Sequence, residues 1–293
     1  MFKKINPGPL WQFMGTVCFC TLMTMNRQLS PFVQKELILL GRCFFALLFL
    51  MPFIRTEGLL FLWPFHLLRG FLTVGTMYCT YSAYRYVPTA TMALFGTVTP
   101  LLTSFFGVIF LKEKMKKISL FALGMGMIGV SIVYWNDGVS ALTHTVGYAP
   151  MASLMCAFST TCGRFLVKKG AKPSSLLFYN IFIPFISFIS ISILFHHKAD
   201  YHGIKNWKAL LIMGLLGGLG QYCHVKTMQN IRLSLSAPLE YIRPLILIPI
   251  GFYYFSDVPK TSFYWGAFFV FLSVILSWVA IIRDNNVYSV KSH

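Results

Sequence analysis

Charged residues are scarce in this chain. Asp, Glu, Lys and Arg make up 11% of its 293 residues, whereas a soluble domain carries about 25%. Hydrophobic residues make up 56%, and the mean hydropathy is +0.67. A soluble fold needs polar side chains to cover its surface. This composition therefore excludes an ordinary soluble protein and indicates a chain that lies in lipid.

Acidic residues are the scarcest charged type, with 8 Asp and Glu against 25 Lys and Arg. Basic loops beside anionic lipid headgroups explain this excess. No basic stripe with interleaved aromatics stands outside the apolar runs, so we expect no nucleic-acid partner. The 7 cysteines lie in apolar runs without a CxxC pair, which is typical of small buried residues. We expect no metal and no cofactor.

Ten mainly apolar runs approach the length of about 20 residues that a bilayer span requires. They are roughly 9–26, 36–54, 65–86, 88–111, 117–135, 147–167, 174–195, 207–229, 233–255 and 262–282. The sequence thus predicts an all-α membrane protein of ten transmembrane helices. Most Lys and Arg, including the basic cluster at 112–117, then fall on one side. By the positive-inside rule, both termini are cytoplasmic, and we expect a multi-pass protein of the bacterial inner membrane.

An internal repeat emerges when the chain is aligned with itself at an offset of 144 residues. Tyr78-Cys79 then aligns with Tyr222-Cys223. Further pairs at this register are Ala93 with Ala237, Pro100 with Pro244, Gly107 with Gly251, Glu113 with Asp257, and Lys116 with Lys260. Five spans separate the copies. Because five is odd, the sequence predicts two inverted repeats, 1–138 with helices one to five and 139–293 with helices six to ten.

Inverted repeats are the architecture of many secondary transporters, whose substrate site lies near the midplane between the halves. We therefore expect a carrier of a small organic solute. The sequence has no nucleotide-binding loop, so ATP-driven transport would need a separate subunit. It also lacks a convergent acid, base or metal constellation within the spans, so we do not expect an enzyme.

Several motifs in both halves occur in the order and spacing of one known family. The first half contains His66-Leu-Leu-Arg-Gly70, Tyr84-Arg-Tyr-Val-Pro-Thr-Ala90, Thr99-Pro100 and Gly107-Val-Ile-Phe-Leu-Lys-Glu-Lys114. The second half contains Ala237-Pro-Leu-Glu-Tyr-Ile-Arg-Pro244, Gly251 and Phe255-Ser-Asp-Val-Pro259. With these motifs the chain resembles the EamA group of the drug/metabolite transporter superfamily. The resemblance covers essentially the whole chain and implies ten helices, cytoplasmic termini and alternating access.

Within this family the chain is most similar to the S-adenosylmethionine uptake carriers. The resemblance makes uptake of S-adenosylmethionine the leading hypothesis. Export of amino acids, drugs or other metabolites on the same fold is the alternative. The chain departs from those carriers in one place. They have arginine before the tyrosine of helix nine and glutamate after it, whereas here Glu240 precedes Tyr241 and Arg243 follows it. The substrate and the coupling, by protons or by exchange, are left open.

Glu240 is the one acid that the predicted spans place well inside a helix. A charge at the centre of a membrane helix costs about 2.5–3.5 kcal/mol on insertion scales, so it needs a partner, water or a ligand. Arg243 follows three residues later and shares its helix face. The two side chains either form a structural ion pair or line a cavity that binds a substrate or a proton. We favour the cavity, because apolar side chains would suffice for a structural helix.

Other polar and aromatic residues in the spans are candidates for substrate contact, with packing as the alternative for each. They are Tyr241, Arg42, Tyr179-Asn180, Gln221, His224 and Trp11, together with Tyr78 and Tyr222, which occupy equivalent positions in the two repeats. Pro100 and Pro244 are candidate hinges at equivalent positions in helices four and nine, or packing kinks. Arg27 and Arg164 end helices one and six, where we expect them to snorkel toward the interface.

Overall fold

The computed structural model describes residues 7–54, 58–86, 89–113, 115, 117–134, 147–194, 206–255 and 262–283. It is all-helical over these ranges and contains ten helices. The first five are α1 (Gly8–Leu29), α2 (Lys35–Leu50, continued by a 3-10 turn at Met51–Phe53), α3 (Trp63–Tyr86), α4 (Thr89–Leu111) and α5 (Lys117–Tyr134). The others are α6 (Tyr148–Lys168), α7 (Pro173–Leu194), α8 (Trp207–Asn230), the divided helix α9 and α10 (Ser262–Arg283). The ten predicted helices are confirmed to within a few residues at most ends.

The ninth predicted span is divided and is not one continuous α-helix. It consists of α9a (Leu233–Ser236), a 3-10 segment (Ala237–Tyr241) and α9b (Ile242–Phe255). Pro238 lies at the start of the 3-10 segment, and Pro244 lies in the first turn of α9b. Neither proline has a backbone donor, so the regular i→i−4 ladder cannot run through this region. The division places Glu240 before α9b and Arg243 within its first turn.

The end of α6 shows how local sequence sets the helix connections. Gly170 has a φ of +89°, a left-handed conformation that glycine adopts without steric cost. Its N–H bonds to Val167 O at 3.0 Å, and the N–H of Ala171 bonds to Leu166 O at 3.0 Å. These two bonds form a Schellman motif, which satisfies the last carbonyls of α6. The chain can then enter α7 only three residues later, at Pro173.

The helices pack in pairs around a polar interior. α1 packs on α8, and α3 packs on α6; α2 contacts both α7 and α8, while α3 also contacts α7. α4 packs on α6 and α9b, α1 also packs on α9b, and α5 packs on α10 at the periphery. The four helices α1, α3, α6 and α8 therefore form the centre of the bundle.

The distribution of side chains is the reverse of that in a soluble protein. Large aromatic side chains on the outside are more than half exposed, including Phe71, Phe105, Phe121 and Phe268. Polar side chains in the interior are nearly inaccessible, including Gln12, Asn26, Arg69 and Asn180. An apolar exterior around polar interior groups suits a bundle in lipid, where polar groups must be satisfied inside.

Two helical segments in the described ranges are long and apolar enough to cross a membrane by composition alone. They are Lys35–Phe53 and Pro173–Leu194, with mean hydropathies of 1.9 and 2.1. The centrally placed α1, α3, α6 and α8 do not meet this criterion. These helices carry the polar and charged side chains of the interior, and each such side chain lowers the mean hydropathy.

Candidate functional site

A cavity of about 140 Å³ lies between the central helices. Side chains from α1, α2, α3, α6, α7, α8, the 3-10 segment and α9b line it. Its polar and charged lining residues are Gln12, Thr16, Asn26, Arg42, Arg69, Thr73, Thr76, Thr80, Ser159, Thr160, Asn180, Gln221, His224, Glu240 and Arg243. Trp11, Tyr81 and Tyr84 add aromatic surface. The lining thus combines apolar rings with a few charges, as small-molecule sites commonly do.

Seven of the residues predicted from the sequence lie together on this cavity. They are Trp11, Arg42, Asn180, Gln221, His224, Glu240 and Arg243. The residues come from α1, α2, α7, α8 and the region around α9b, so only the folded bundle brings them together.

Glu240 and Arg243 form an ion pair beside the cavity. The distance between Arg243 Nη2 and Glu240 Oε2 is 3.8 Å, and the side chains are only 19% and 12% exposed. Gln12 on α1 lines the same cavity as the pair. The Nε of Arg243 has no hydrogen-bond partner among the residues that the structure describes. The described residues therefore satisfy the hydrogen-bonding groups of the pair only in part.

Arg42 is held by a tyrosine instead of reaching the membrane interface. Its Nη1 donates to Tyr81 Oη at 3.0 Å, and its guanidinium carbon lies 5.6 Å from the centre of the same ring. Arg42 is 6% exposed. Gly217 on α8 makes room for it, because a Cβ there would lie 2.9 Å from Arg42 Nε. Arg42 thus contributes a buried positive charge to the cavity.

A hydrogen-bonded network joins four helices at the cavity wall. The Thr73 hydroxyl on α3 lies 2.7 Å from Asn180 Oδ1 on α7 and 3.0 Å from Ser159 Oγ on α6. Asn180 Nδ2 in turn donates to Gln221 Oε1 on α8 at 2.8 Å. Such a network fixes the rotamers of its members in a low-dielectric interior. The wall of the cavity is therefore preorganised on this side.

Arg69 is a cavity residue that the sequence did not single out. It lies near the start of α3, where the sequence places it among the basic residues of one membrane face. In the structure it is 2% exposed, lines the cavity, and donates from Nη1 to Leu176 O at 2.9 Å. An arginine near a helix end gives no sign in the sequence of whether it points outward or inward.

Four predicted tyrosines lie outside the cavity lining. Tyr241 is fully buried against α5, where a Cβ on Gly126 would lie 2.4 Å from its ring. Tyr78 accepts a hydrogen bond from Lys35 Nζ at 3.0 Å. Tyr222 packs edge-on against Trp11 with ring centroids 5.9 Å apart, and Tyr179 stacks on His66 at 4.8 Å. Tyr222 thus contacts a cavity residue through Trp11.

The two predicted hinge prolines lie in helices that pack on each other. Pro100 is inside α4, and Pro244 is in the first turn of α9b. Both are buried, and α4 contacts α9b. Neither proline lines the cavity, and no described residue of α4 does so. Most of the described lining residues of the cavity come from α1 and α3.

A second cluster of charges is buried at the end of α4. Glu113 Oε1 lies 3.4 Å from Arg164 Nε and 3.9 Å from Lys168 Nζ, both on α6. Arg164 Nη1 also donates to the carbonyl of Met228 on α8. The expectation that Arg164 snorkels outward is therefore wrong, since the residue is 4% exposed. Glu113, the acid at the end of α4, lies close enough to Arg164 to form an ion pair with it in the interior.

The backbone before Glu113 is arranged to direct it into this cluster. Lys112 has a φ of +50°, an unusual value for a residue with a side chain. After this left-handed residue the N–H of Glu113 reaches back to Gly107 O at 3.1 Å. Gly107 lies next to the Glu113 side chain, since a Cβ there would make an ordinary van der Waals contact of 3.7 Å with Glu113 Oε2. Such strain persists only where the surroundings stabilise it.

Comparison with known families explains the architecture. The profile of the EamA-like transporter family matches residues 6–135 and 145–279. The chain belongs to the EamA-like transporter family. It is accordingly an all-helical membrane protein of a family of transporters, as the motifs in both halves predicted.

Two curated relatives of this EamA-like chain are named as transporters of different substrates. The S-adenosylmethionine uptake transporter of Rickettsia felis (strain ATCC VR-1525 / URRWXCal2) is 23% identical over 270 residues, which is 90% of each chain. The pseudopaline exporter CntI of Pseudomonas aeruginosa (strain PAO1) is 19% identical over 196 residues, covering 67% of this chain and 68% of the exporter. The predicted resemblance to S-adenosylmethionine uptake carriers is confirmed at the level of a distant relative.

A solved crystal structure shares the fold of this EamA-like protein. It superposes with a TM-score of 0.72 and covers 95% of this chain and 98% of the other, at 14% sequence identity. At this identity the likeness concerns the fold alone. The arrangement of helices that creates the cavity is therefore common to both proteins.

Proposed function

We propose that this EamA-like protein is a secondary transporter that moves a small zwitterionic metabolite through the central cavity by alternating access. The observation that carries the proposal is the Glu240–Arg243 pair on a cavity lined by polar side chains and aromatic rings. Opposite charges beside one another suit the ammonium and carboxylate groups of a zwitterion. Membrane helices keep such charges where they serve a pathway or a ligand.

S-adenosylmethionine is the leading substrate, with uptake as the direction. Its amino-acid end carries a carboxylate and an ammonium, and its sulfonium and adenine suit an acid and an aromatic face. Glu240 offers the acid, and Trp11 offers the ring on the cavity wall. The uptake carrier of Rickettsia felis supports this choice, because it matches over 90% of both chains.

Export of another polar metabolite is the second candidate. The resemblance to the pseudopaline exporter favours it, although that match covers about two thirds of each chain. An alternating-access cavity can load from either side, so the same residues serve both directions. The direction of transport and the substrate in reconstituted vesicles separate the two cases.

We also propose that residues 1–138 and 139–293 are inverted repeats, with both termini cytoplasmic in the bacterial inner membrane. Two observations support this. The family profile matches once in each half. The helix contacts also keep their pattern when each helix is replaced by the helix five positions away. The contact between α1 and α8 then corresponds to that between α6 and α3, and the contact between α4 and α6 corresponds to that between α9b and α1. Pro100 and Pro244 then occupy equivalent places at which α4 and α9 can bend.

The experiment that tests the proposed function is transport by the purified protein in liposomes. Vesicles loaded with unlabelled S-adenosylmethionine are diluted into a trace of the labelled compound, and the internal label is followed with time. Transient accumulation above the level of protein-free vesicles is expected. If this label does not enter, labelled amino acids, nucleosides and metal-chelating amino acids, each tested in vesicles preloaded with its own unlabelled form, identify the substrate class.

A further inference from the structure

The charges on the cavity lining do not balance. The described lining residues include three arginines, Arg42, Arg69 and Arg243, and one carboxylate, Glu240. Glu240 is paired with Arg243, and the Arg42 guanidinium donates to Tyr81. Buried charges are normally paired, because an unpaired one loses its hydration without compensation. The excess positive charge therefore points to a partner that the protein itself does not supply.

Arg69 is the arginine with the least compensation. The one hydrogen bond of its guanidinium to the described residues runs from Nη1 to the Leu176 carbonyl, and the Nε has no partner among them. No carboxylate of the described chain forms an ion pair with it. A guanidinium has five N–H donors in a planar fork, which matches a carboxylate with two parallel hydrogen bonds.

The surroundings of Arg69 hold it in place. Gly163 on α6 leaves room for it, since a Cβ there would lie 2.9 Å from Arg69 Nε. The carbonyl of Arg69 accepts a hydrogen bond from Thr73 at 2.9 Å. Thr73 belongs to the network that joins α3, α6, α7 and α8. Arg69 thus lies on a rigid part of the wall, which is what a specific polar contact requires.

His224 on α8 lines the same cavity as Arg69 and Arg243. An imidazole offers at least one N–H donor in either protonation state. The two arginines and the histidine thus all present donors to the cavity, and Glu240, the one described carboxylate of the lining, is paired with Arg243. A ligand in the cavity therefore meets these donors and a single acid.

We propose that Arg69, with His224 and Arg243 beside it, forms a subsite for the carboxylate of the substrate. This inference rests on the proposed transport function and narrows its substrate class. The cavity accepts metabolites that carry at least one carboxylate and rejects neutral or purely cationic analogues of the same shape. The carboxylate contacts the Arg69 fork, and a positively charged part of the same molecule lies near Glu240.

The test uses pairs of ligands that differ in the carboxylate alone. Binding to the purified full-length protein in detergent is measured by thermal shift and by calorimetry. The pairs are S-adenosylmethionine with its decarboxylated form, and several amino acids with their amides. The carboxylate member of a pair is expected to bind at least about tenfold more tightly, because charge-assisted bidentate bonds are lost with the carboxylate. Equal binding within the pairs, or binding by none of the carboxylates, overturns the proposal.

Variants locate the effect at Arg69. Arg69→Gln is expected to abolish the preference for the carboxylate member. Arg69→Lys is expected to keep part of this preference, because the lysine ammonium is a point charge that cannot form both parallel hydrogen bonds. Lys35→Gln, which removes an equal charge outside the cavity lining, serves as the control and keeps the preference. A full preference in folded Arg69→Gln overturns the assignment. If this variant does not fold, the comparison of paired ligands on the unchanged protein still tests whether binding requires the carboxylate.

The two proposals fail in different ways. Carboxylate-dependent binding without transport in liposomes contradicts the transporter and keeps the subsite. Transport of a compound whose amide or decarboxylated form is carried equally well contradicts the subsite and keeps the transporter.

Discussion

Arg164 Nε lies 3.4 Å from Glu113 Oε1, and both side chains are at most 5% exposed. The pair joins the end of α4 to α6 and, through the Met228 carbonyl, to α8. It thus connects the two halves of the chain at a place remote from Glu240. Pairing explains why two charges can be buried there, since each removes the cost of leaving the other unpaired.

The first prediction concerns the stability that this pair provides. Glu113→Gln leaves Arg164 buried without its acid and is expected to destabilise the protein by about 3–5 kcal/mol, the usual cost of breaking a buried pair. The free energy of unfolding in a mild detergent measures it. The double variant with Arg164→Met removes both charges and should recover part of the loss. A double variant that is less stable than Glu113→Gln contradicts this explanation.

The second prediction concerns the contact between α5 and Tyr241. A Cβ on Gly126 would lie 2.4 Å from Tyr241 Cδ2, whereas a Cβ on Gly124 meets no atom within 4 Å. Gly126→Ala is therefore expected to cost about 1–3 kcal/mol through overpacking. Gly124→Ala on the same helix is the matched control and should leave stability unchanged or slightly higher. Equal melting temperatures for the two variants would show that Tyr241 is not closely packed there.

The third prediction concerns the polar network at the cavity wall. Thr73→Val removes the hydroxyl between Ser159 and Asn180 while keeping its shape, and is expected to cost about 1–3 kcal/mol by leaving buried groups unsatisfied. Substrate binding should weaken as well, because the wall loses its fixed rotamers. Thr161→Val is the control, since this buried hydroxyl bonds to the local Ala157 carbonyl. The same loss of affinity in both variants would rule out a special role of the network.

The fourth prediction concerns Glu240 and coupling. If this carboxylate carries the coupled proton, Glu240→Gln abolishes accumulation driven by an imposed pH gradient but retains exchange of labelled for unlabelled substrate at saturating concentration, since the lost charge also weakens binding. Glutamine cannot bind and release a proton, yet it keeps the size of the side chain and one acceptor oxygen. Glu36→Gln, an acid paired with Lys35 at 3.7 Å, is the control and keeps gradient-driven transport. Unchanged rate and pH dependence in Glu240→Gln would exclude this residue from coupling.

Much of the helical architecture could be predicted, because a helix satisfies its own backbone groups in lipid and ten mainly apolar runs near the required length are visible in the sequence. The position of α7, predicted as 174–195 and observed as Pro173–Leu194, illustrates this. The division of helix nine was not predicted. Its prolines were recognised, but their effect on the hydrogen-bond ladder depends on how the neighbouring helices satisfy the freed carbonyls.

The candidate site could be predicted only where the position in a span was decisive. Glu240 and Arg243 stand out because a charge inside a span is costly unless a partner, water or a ligand stabilises it. Arg69 and Arg164 lie near helix ends, where a long side chain can point either way, so the sequence could not show that both are buried. Tyr78 was chosen from the repeat alone, which gives a helix position but not the direction of its side chain. Its hydroxyl contacts Lys35.

The most direct test of the transporter is counterflow in liposomes that contain the purified protein. Labelled S-adenosylmethionine should accumulate transiently in vesicles preloaded with the unlabelled compound, and Arg69→Gln and Arg243→Gln should slow this accumulation at least about tenfold, while Lys35→Gln should not. If the properly folded protein exchanges neither S-adenosylmethionine nor any carboxylate-bearing metabolite of a broad panel, transport through this cavity is contradicted.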